Sequence, residues 1–132
     1  MHLEVESAAN LVTHFLRLSK AIMHDEQLNT FNKQLVKYLT LKYSQNSNWK
    51  PERPFFRSRI RAISTFNCLP ESELYKAANK SNIKLSLLLK ALPKDLLIWV
   101  DPGKVSYRIT NGPEYTIFTY LGPPIPWSPN PI

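Results

Sequence analysis

The stretch Leu92–Ile109, LPKDLLIWVDPGKVSYRI, admits few folds. Pro93 closes any helix that precedes it, because its ring cannot continue a helix and it has no N–H to give. Leu96–Val100 is a short apolar run of strand length. Asp101-Pro102-Gly103-Lys104 carries turn chemistry: proline pre-sets φ and glycine is free to take positive φ. Val105–Ile109 then alternates apolar and polar residues, as a half-buried strand does. Two strands of matched length joined by such a turn predict an antiparallel hairpin. A sheet is thereby required, and the rest of the chain must cover it.

Within the first of these strands Leu96, Ile98 and Val100 point one way, while Leu97, Trp99 and Asp101 point the other. If the β-branched face is the core face, Trp99 lies beside an aspartate near the surface and suits a docking anchor. If the strand is buried on both faces, Trp99 is core. Pattern alone favours the second reading, since apolar strand residues are usually buried.

Upstream, apolar residues at Val5, Ala8, Val12, Phe15, Leu18 and Ile22 predict a helix over Val5–Met23. A second helix follows, with Leu28, Phe31, Leu35 and Leu39 on one stripe and Asn32, Lys33 and Lys37 opposite. Tyr43–Asn48 reads as polar loop, and Trp49–Pro54 is too proline-rich for a helix or a central strand. The near-alternation of Phe56–Phe66 predicts a strand. Pro70, Glu71 and Glu73 open a third helix, with Leu74, Ala77 and Ala78 inward. Ile83–Leu92 forms a fourth, with Leu85, Leu88, Leu89 and Leu92 inward. Thr110–Glu114 is a second turn and Tyr115–Tyr120 a last strand. The fold class is therefore α+β, with helices on one face of a sheet of about four strands. From Leu121 the chain becomes a proline-rich tail, extended or disordered.

The 132 residues suit one domain with one core. Met1–Glu6 is acidic where a signal peptide would be basic, and the longest apolar run, near Leu85–Leu92, is far too short to span a bilayer. One cysteine, Cys68, cannot form an internal disulfide and reads as a buried inert thiol, which fits cytoplasm or nucleus. His2, His14 and His24 lack metal-site spacing and read as solvated or helix-surface histidines. The three glycines, Gly103, Gly112 and Gly122, all read as turns, so no phosphate-cradling loop exists. Glu71 and Glu73 are helix-start acids before they are an acid–base pair. No catalytic residue, metal site or cofactor is expected, and the chain is not expected to be an enzyme.

The net charge of +7 is compatible with nucleic acid, an anionic surface or an acidic protein. The strongest basic feature is Lys50, Arg53, Arg57, Arg59 and Arg61, opposed only by Glu52. It could contact RNA phosphates, with Trp49, Phe55 and Phe56 stacking on bases. It could equally be a solvated strand face, or meet acids on a protein partner. Phe55 and Phe56 also look exposed, which suits self-association into a homo-oligomer.

Taken together, these pieces resemble the N-terminal domain of the BTG/Tob antiproliferative family. Leu92-Pro93, Leu96, Trp99-Val100-Asp101-Pro102 and Val105–Ile109 stand in the order and spacing of that family's second signature box, and Trp49 with Pro51–Pro54 resembles part of the first. The helix pair and the hairpin to Tyr120 extend the likeness, so that residues 1–121 form the BTG/Tob-like domain and 122–132 the start of a disordered region. In place of the family's glycine-bearing linker and aromatic–Arg–Cys–Ile–Arg–Ile strand stands Phe55–Ile63, without glycine. This marks a divergent member, for which a nematode germ-cell fate regulator is one candidate. The resemblance implies four to five helices packed on a four-stranded antiparallel sheet. It also implies a non-enzymatic adaptor that docks the Caf1-type deadenylase subunit of the CCR4–NOT complex, promotes mRNA deadenylation and restrains proliferation or sets cell fate. Its contact with mRNA would be indirect. Carried over, Trp99 and Asp101 are the second-box contacts, and Trp49, Pro51 and Pro54 shape the first; Arg57, Arg59, Arg61, Phe55 and Phe56 remain for RNA or self-association.

Overall fold

The computed structural model describes residues 1–19, 23–66 and 70–119. The tail and Cys68 lie outside these, as do residues 20–22 of the expected first helix and Tyr120, the expected end of the last strand. Nine elements follow in order: α1 (His2–Leu18), α2 (Asp25–Tyr43), α3 (Ser58–Arg61), β1 (Ile63–Ser64), α4 (Ser72–Lys80), α5 (Leu85–Ala91), β2 (Leu96–Asp101), β3 (Lys104–Ile109) and β4 (Tyr115–Thr119). The four strands form one antiparallel sheet in the order β1-β2-β3-β4. The expected α+β architecture, with five helices and four antiparallel strands, is the one observed.

The hairpin forms as its sequence dictates. Asp101 pairs with Lys104 and Leu96 with Ile109 in unbroken register. Gly103 takes φ +84, which supplies the positive φ that a turn with proline first and glycine second demands. Past the turn the register shifts between Val105 and Ser106 against β4, a bulge that sharpens the local twist.

Leu96, Ile98 and Val100 are fully buried, so the β-branched face of β2 is indeed the core face. They meet Val5, Ala8, Val12 and Leu16 of α1, and Phe15 of α1 packs edge-on to Tyr107 of β3 at 5.9 Å. The apolar stripe of α2, Leu28, Phe31, Leu35 and Leu39, is buried as its periodicity predicts. Gln27 at the start of α2 accepts the His24 backbone N–H at 3.0 Å and donates to the carbonyl of Asn82 at 3.2 Å, tying α2 to the end of α4. His24 is exposed just before the first residue of α2, in keeping with a solvated or helix-surface histidine.

Four expectations are corrected. α1 closes at Leu18, which is exposed, because Ser19 turns extended and its hydroxyl takes up the Leu16 carbonyl at 2.7 Å. Tyr43 is not loop but the buried last residue of α2. Leu85 is exposed at the first turn of α5, with Leu88 and Leu92 filling the core instead. Above all, Phe56–Phe66 is not a strand. Phe55–Arg61 winds through consecutive turns, with backbone bonds Ser58 to Phe55 and Ile60 to Arg57, into the short α3, leaving only Ile63–Ser64 to pair with Ile98 and Leu97. Arg57 opens α3 in the left-handed conformation, φ 59, which an extended strand cannot contain.

Candidate docking face

The helices cover one side of the sheet, so the alternate residues of β2 face away from them. Trp99 stands there, half-buried, opposite Ser106, with the Arg108 guanidinium 5.6 Å from its ring centre. Beside it is a hollow of 260 Å³ whose walls include Phe55, Ser58, Trp99, Asp101 and Lys104. Phe55 is 76% exposed, the highest value of any large apolar side chain described. Two distant segments, the loop after α2 and the second strand, therefore bring an exposed phenylalanine and a half-buried tryptophan to one rim.

The loop reaches this position because Arg61 holds it. Arg61 is fully buried and spends every donor nitrogen. Its Nε donates to the Val100 carbonyl at 2.7 Å. Nη1 donates to the carbonyls of Asn48 and Phe56, both at 2.6 Å. Nη2 donates to the Pro54 carbonyl at 2.9 Å and to Asp101 Oδ1 at 2.8 Å. The same Oδ1 accepts the Ser58 hydroxyl at 2.7 Å. The guanidinium fork is thus a peg around which residues 48–58 are wrapped and pinned to the end of β2. Removing one partner from such a buried pair typically costs about 3–5 kcal/mol, since the other charge is left without compensation.

Aromatic groups close the peg from the other side. Trp49 stacks on Tyr43 with ring centres 6.0 Å apart and planes 17° apart, and the Arg61 guanidinium lies 5.5 Å from the Trp49 ring. The Tyr43 hydroxyl donates to the Arg61 carbonyl at 2.6 Å. Burial pushes the Tyr43 phenol far above its usual value of 10.0, with the nearby Arg61 charge pulling weakly the other way. Asn48, also buried, donates to the Lys42 carbonyl at 2.8 Å and accepts from Arg57 at 3.3 Å.

These placements sort the residues singled out in the sequence. Trp99 and Phe55 share the exposed rim. Trp49, Pro51 and Pro54 are half-buried behind it and support the loop. Asp101 is 6% exposed and committed to Arg61 and Ser58, so it is a structural anchor and not a free carboxylate for a partner. Arg61 is likewise corrected: no RNA phosphate or second copy can reach it. Arg57 and Arg59 are exposed; Phe56 is half-buried, its ring screened by cations rather than bare as expected. Tyr43, Asn48 and Ser58 went unnoticed in the sequence, where nothing separates them from ordinary helix-end and loop residues. The one available hint was Asp101, a carboxylate ending an apolar strand, which needs a buried partner somewhere.

Elsewhere the surface offers less. A hollow of 760 Å³ lies between α1 and α2, where Asn32 already donates to Asn10 and Thr13 at 3.0 Å each. Among the described residues no group of three or more His, Cys, Asp or Glu is placed to hold a metal ion, and no helix is long and apolar enough to cross a membrane.

Comparison with known proteins identifies the family to which this fold belongs. Residues 1–119 match the model of the BTG family. Over 106 residues, 80% of the chain, it is 35% identical to BTG1 of Gallus gallus and 34% identical to BTG1 of Homo sapiens. Over 119 residues, 89% of the chain, it is 29% identical to Tob1 of Homo sapiens. The chain spans 60% of the length of those BTG1 proteins and 33% of that Tob1. Among solved structures, the BTG/Tob domain of C. elegans FOG-3 superposes with a TM-score of 0.78, at 26% identity, over 91% of each chain.

Proposed function

The chain belongs to the BTG family, and we propose on that premise that it is a non-enzymatic, antiproliferative adaptor whose Trp99 rim docks a Caf1-type deadenylase subunit of the CCR4–NOT complex. Docked in this way, it promotes deadenylation and repression of mRNAs in the cytoplasm or nucleus. The mRNAs themselves are selected by other partners.

One observation carries this reading: Trp99 is held half-buried on the face of the sheet turned away from α1, next to the exposed Phe55. A tryptophan whose body is seated and whose edge is open loses little side-chain entropy when a partner covers it, which is why such residues dominate interfaces. The Arg61–Asp101 pair supports the reading indirectly, because it fixes the rim before any partner arrives. A preformed rim avoids the ordering cost of binding.

Affinity purification of the wild-type chain beside Trp99→Ala provides the test. Truncating a central tryptophan typically costs about 2–4 kcal/mol, or roughly 30- to 1,000-fold in affinity. The deadenylase is expected to vanish from the Trp99→Ala eluate, and to persist with Tyr75→Ala, which alters an exposed aromatic on α4. Retention of the deadenylase by Trp99→Ala would sink the proposal. Thermal unfolding of each variant separates lost docking from lost structure.

A further inference from the structure

The loop wrapped around Arg61 carries on its outer side, next to the Phe55 it shares with the docking rim, a group of cations that the docking reading does not use. Phe56 is ringed by three cations: Lys50 Nζ at 5.4 Å from the ring centre, and the guanidinium carbons of Arg53 and Arg57 at 4.7 and 5.5 Å. Just beyond, Phe55, Arg57, Ser58, Arg59 and Ile60 line an open hollow of 580 Å³. We propose that this margin, Lys50, Arg53, Arg57 and Arg59 with Phe55, binds single-stranded RNA, its cations on the phosphates and Phe55 against a base.

The first argument is charge. Among the described residues the ion pairs are those of Glu4, Glu6, Glu73, Asp101 and Glu114, and none engages Lys50, Arg53, Arg57 or Arg59. Only Arg57 has a side-chain partner, the Asn48 amide oxygen at a long 3.3 Å. Three like charges crowded on one ring repel one another, and a cation–π contact returns only about 0.5–1 kcal/mol apiece at exposed sites. A polyanion relieves that repulsion and releases its own counterions on binding.

The second argument is geometry. The guanidinium carbons of Arg53 and Arg57 lie 4.7 and 5.5 Å from the Phe56 ring centre, and among the described residues no carboxylate occupies either planar fork, the donor geometry that suits phosphate. Phe55 adds a bare π-face beside them. Cations following a backbone, with an aromatic on which any base can stack, are the sequence-tolerant equipment for single-stranded nucleic acid. An acidic peptide would use the charges but leave Phe55 idle, and so accounts for less of the surface. Arg61 takes no part, since its donors are all spent inside.

This inference stands apart from the docking reading, because its test contains no partner protein. Fluorescence anisotropy would follow the whole chain binding a labelled 12-nucleotide oligouridylate from 50 to 300 mM NaCl. Neutralising three to four phosphates predicts a log–log salt slope of about −2 to −3. The triple variant R53Q/R57Q/R59Q, altered only at exposed side chains, is expected to lose at least tenfold in affinity at 50 mM NaCl and to flatten the slope by about 2. Phe55→Ala is expected to weaken binding roughly 5- to 100-fold with the slope unchanged, as loss of stacking alone would do. R17Q/K33Q, at the basic hollow between α1 and α2, should leave both unchanged. Absence of binding at 50 mM NaCl overturns the proposal, as does a triple variant that binds like wild type or a dependence on Arg17 and Lys33. If polyglutamate of matched length binds as tightly as the oligonucleotide, the margin is a seat for acidic protein and the RNA assignment fails.

Discussion

Replacing Arg61 with alanine tests the part of the molecule on which everything outward of it depends. The substitution removes five hydrogen bonds and leaves the Asp101 carboxylate, 6% exposed, with the Ser58 hydroxyl as its remaining donor. The five bonds do not sum at full value. The carbonyls of Asn48, Pro54 and Phe56 belong to a surface loop and regain water if that loop swings out, whereas Val100 and Asp101 sit at the end of a paired strand. The dominant cost is therefore the stranded charge, about 3–5 kcal/mol. With an unfolding entropy of about 2.1 cal/mol/K per residue over 132 residues, that corresponds to a fall in Tm of roughly 11–18 °C. Differential scanning calorimetry measures it directly, and limited proteolysis should show new cleavage within residues 48–60 well below the transition. The double variant Arg61→Met with Asp101→Leu removes both charges together and is expected to lose less than the sum of the two single changes. A Tm within about 3 °C of wild type for Arg61→Ala, or strict additivity in the double variant, would refute the view of Arg61 as the peg.

Two further predictions concern the elements that frame this peg. Gly103→Ala meets no atom within 4 Å, so its cost is the left-handed backbone alone, φ +84, about 1–2 kcal/mol, read as a drop in Tm of roughly 4–7 °C. Because the folded Tyr43 phenol ionises far above its usual 10.0, the unfolded chain releases a proton there first as pH rises. Its stabilising contribution is complete below about pH 10 and declines above it, with a slope approaching about 1.4 kcal/mol per pH unit. Urea midpoints from pH 8 to 11 should fall more steeply for wild type than for Tyr43→Phe, and parallel curves would contradict the burial argument.

How much of this was legible in the sequence depends on whether the information was local. The β2–β3 hairpin was, because Pro102 and Gly103 set the turn within a dozen residues, although the alternation of Leu96, Ile98 and Val100 left open whether the Trp99 face was covered as well. The stripe of α2 was legible for the same reason. The segment Phe55–Phe66 was not. Its alternation of basic and apolar residues imitates a half-buried strand only if every arginine faces water, and Arg61 does the opposite. What draws it inward is a set of carbonyls at Asn48, Pro54, Phe56 and Val100, and a backbone acceptor has no sequence signature. Arg57, Arg59 and Arg61 are indistinguishable as letters, yet one is the centre of the loop and two are on its surface. The same blindness placed Tyr43 in a loop, since its partner is again a carbonyl.

That dependence on backbone acceptors also explains how the first-box segment can depart from the family's pattern and still build the rim. An arginine that is satisfied by carbonyls asks its surrounding loop for a path, not for particular side chains. The consecutive turns from Asn48 to Arg61, with the left-handed Arg57, supply the path without the glycine-bearing linker. Only a few side chains in this segment are fixed by the interior: Asn48 by its bond to the Lys42 carbonyl, Trp49 by its stack on Tyr43, Ser58 by its bond to Asp101, and Arg61 itself. The outward residues, Arg53, Phe55, Arg57, Arg59 and Ile60, carry no such obligation. Apart from Arg57, whose left-handed backbone shapes the loop, their side chains are free of the interior, so they are the positions at which this chain can change what it touches with least cost to the fold. Trp99 is different in kind: it is seated on the strand that the peg holds, so the rim keeps its tryptophan while its basic, aromatic margin is free to engage another ligand.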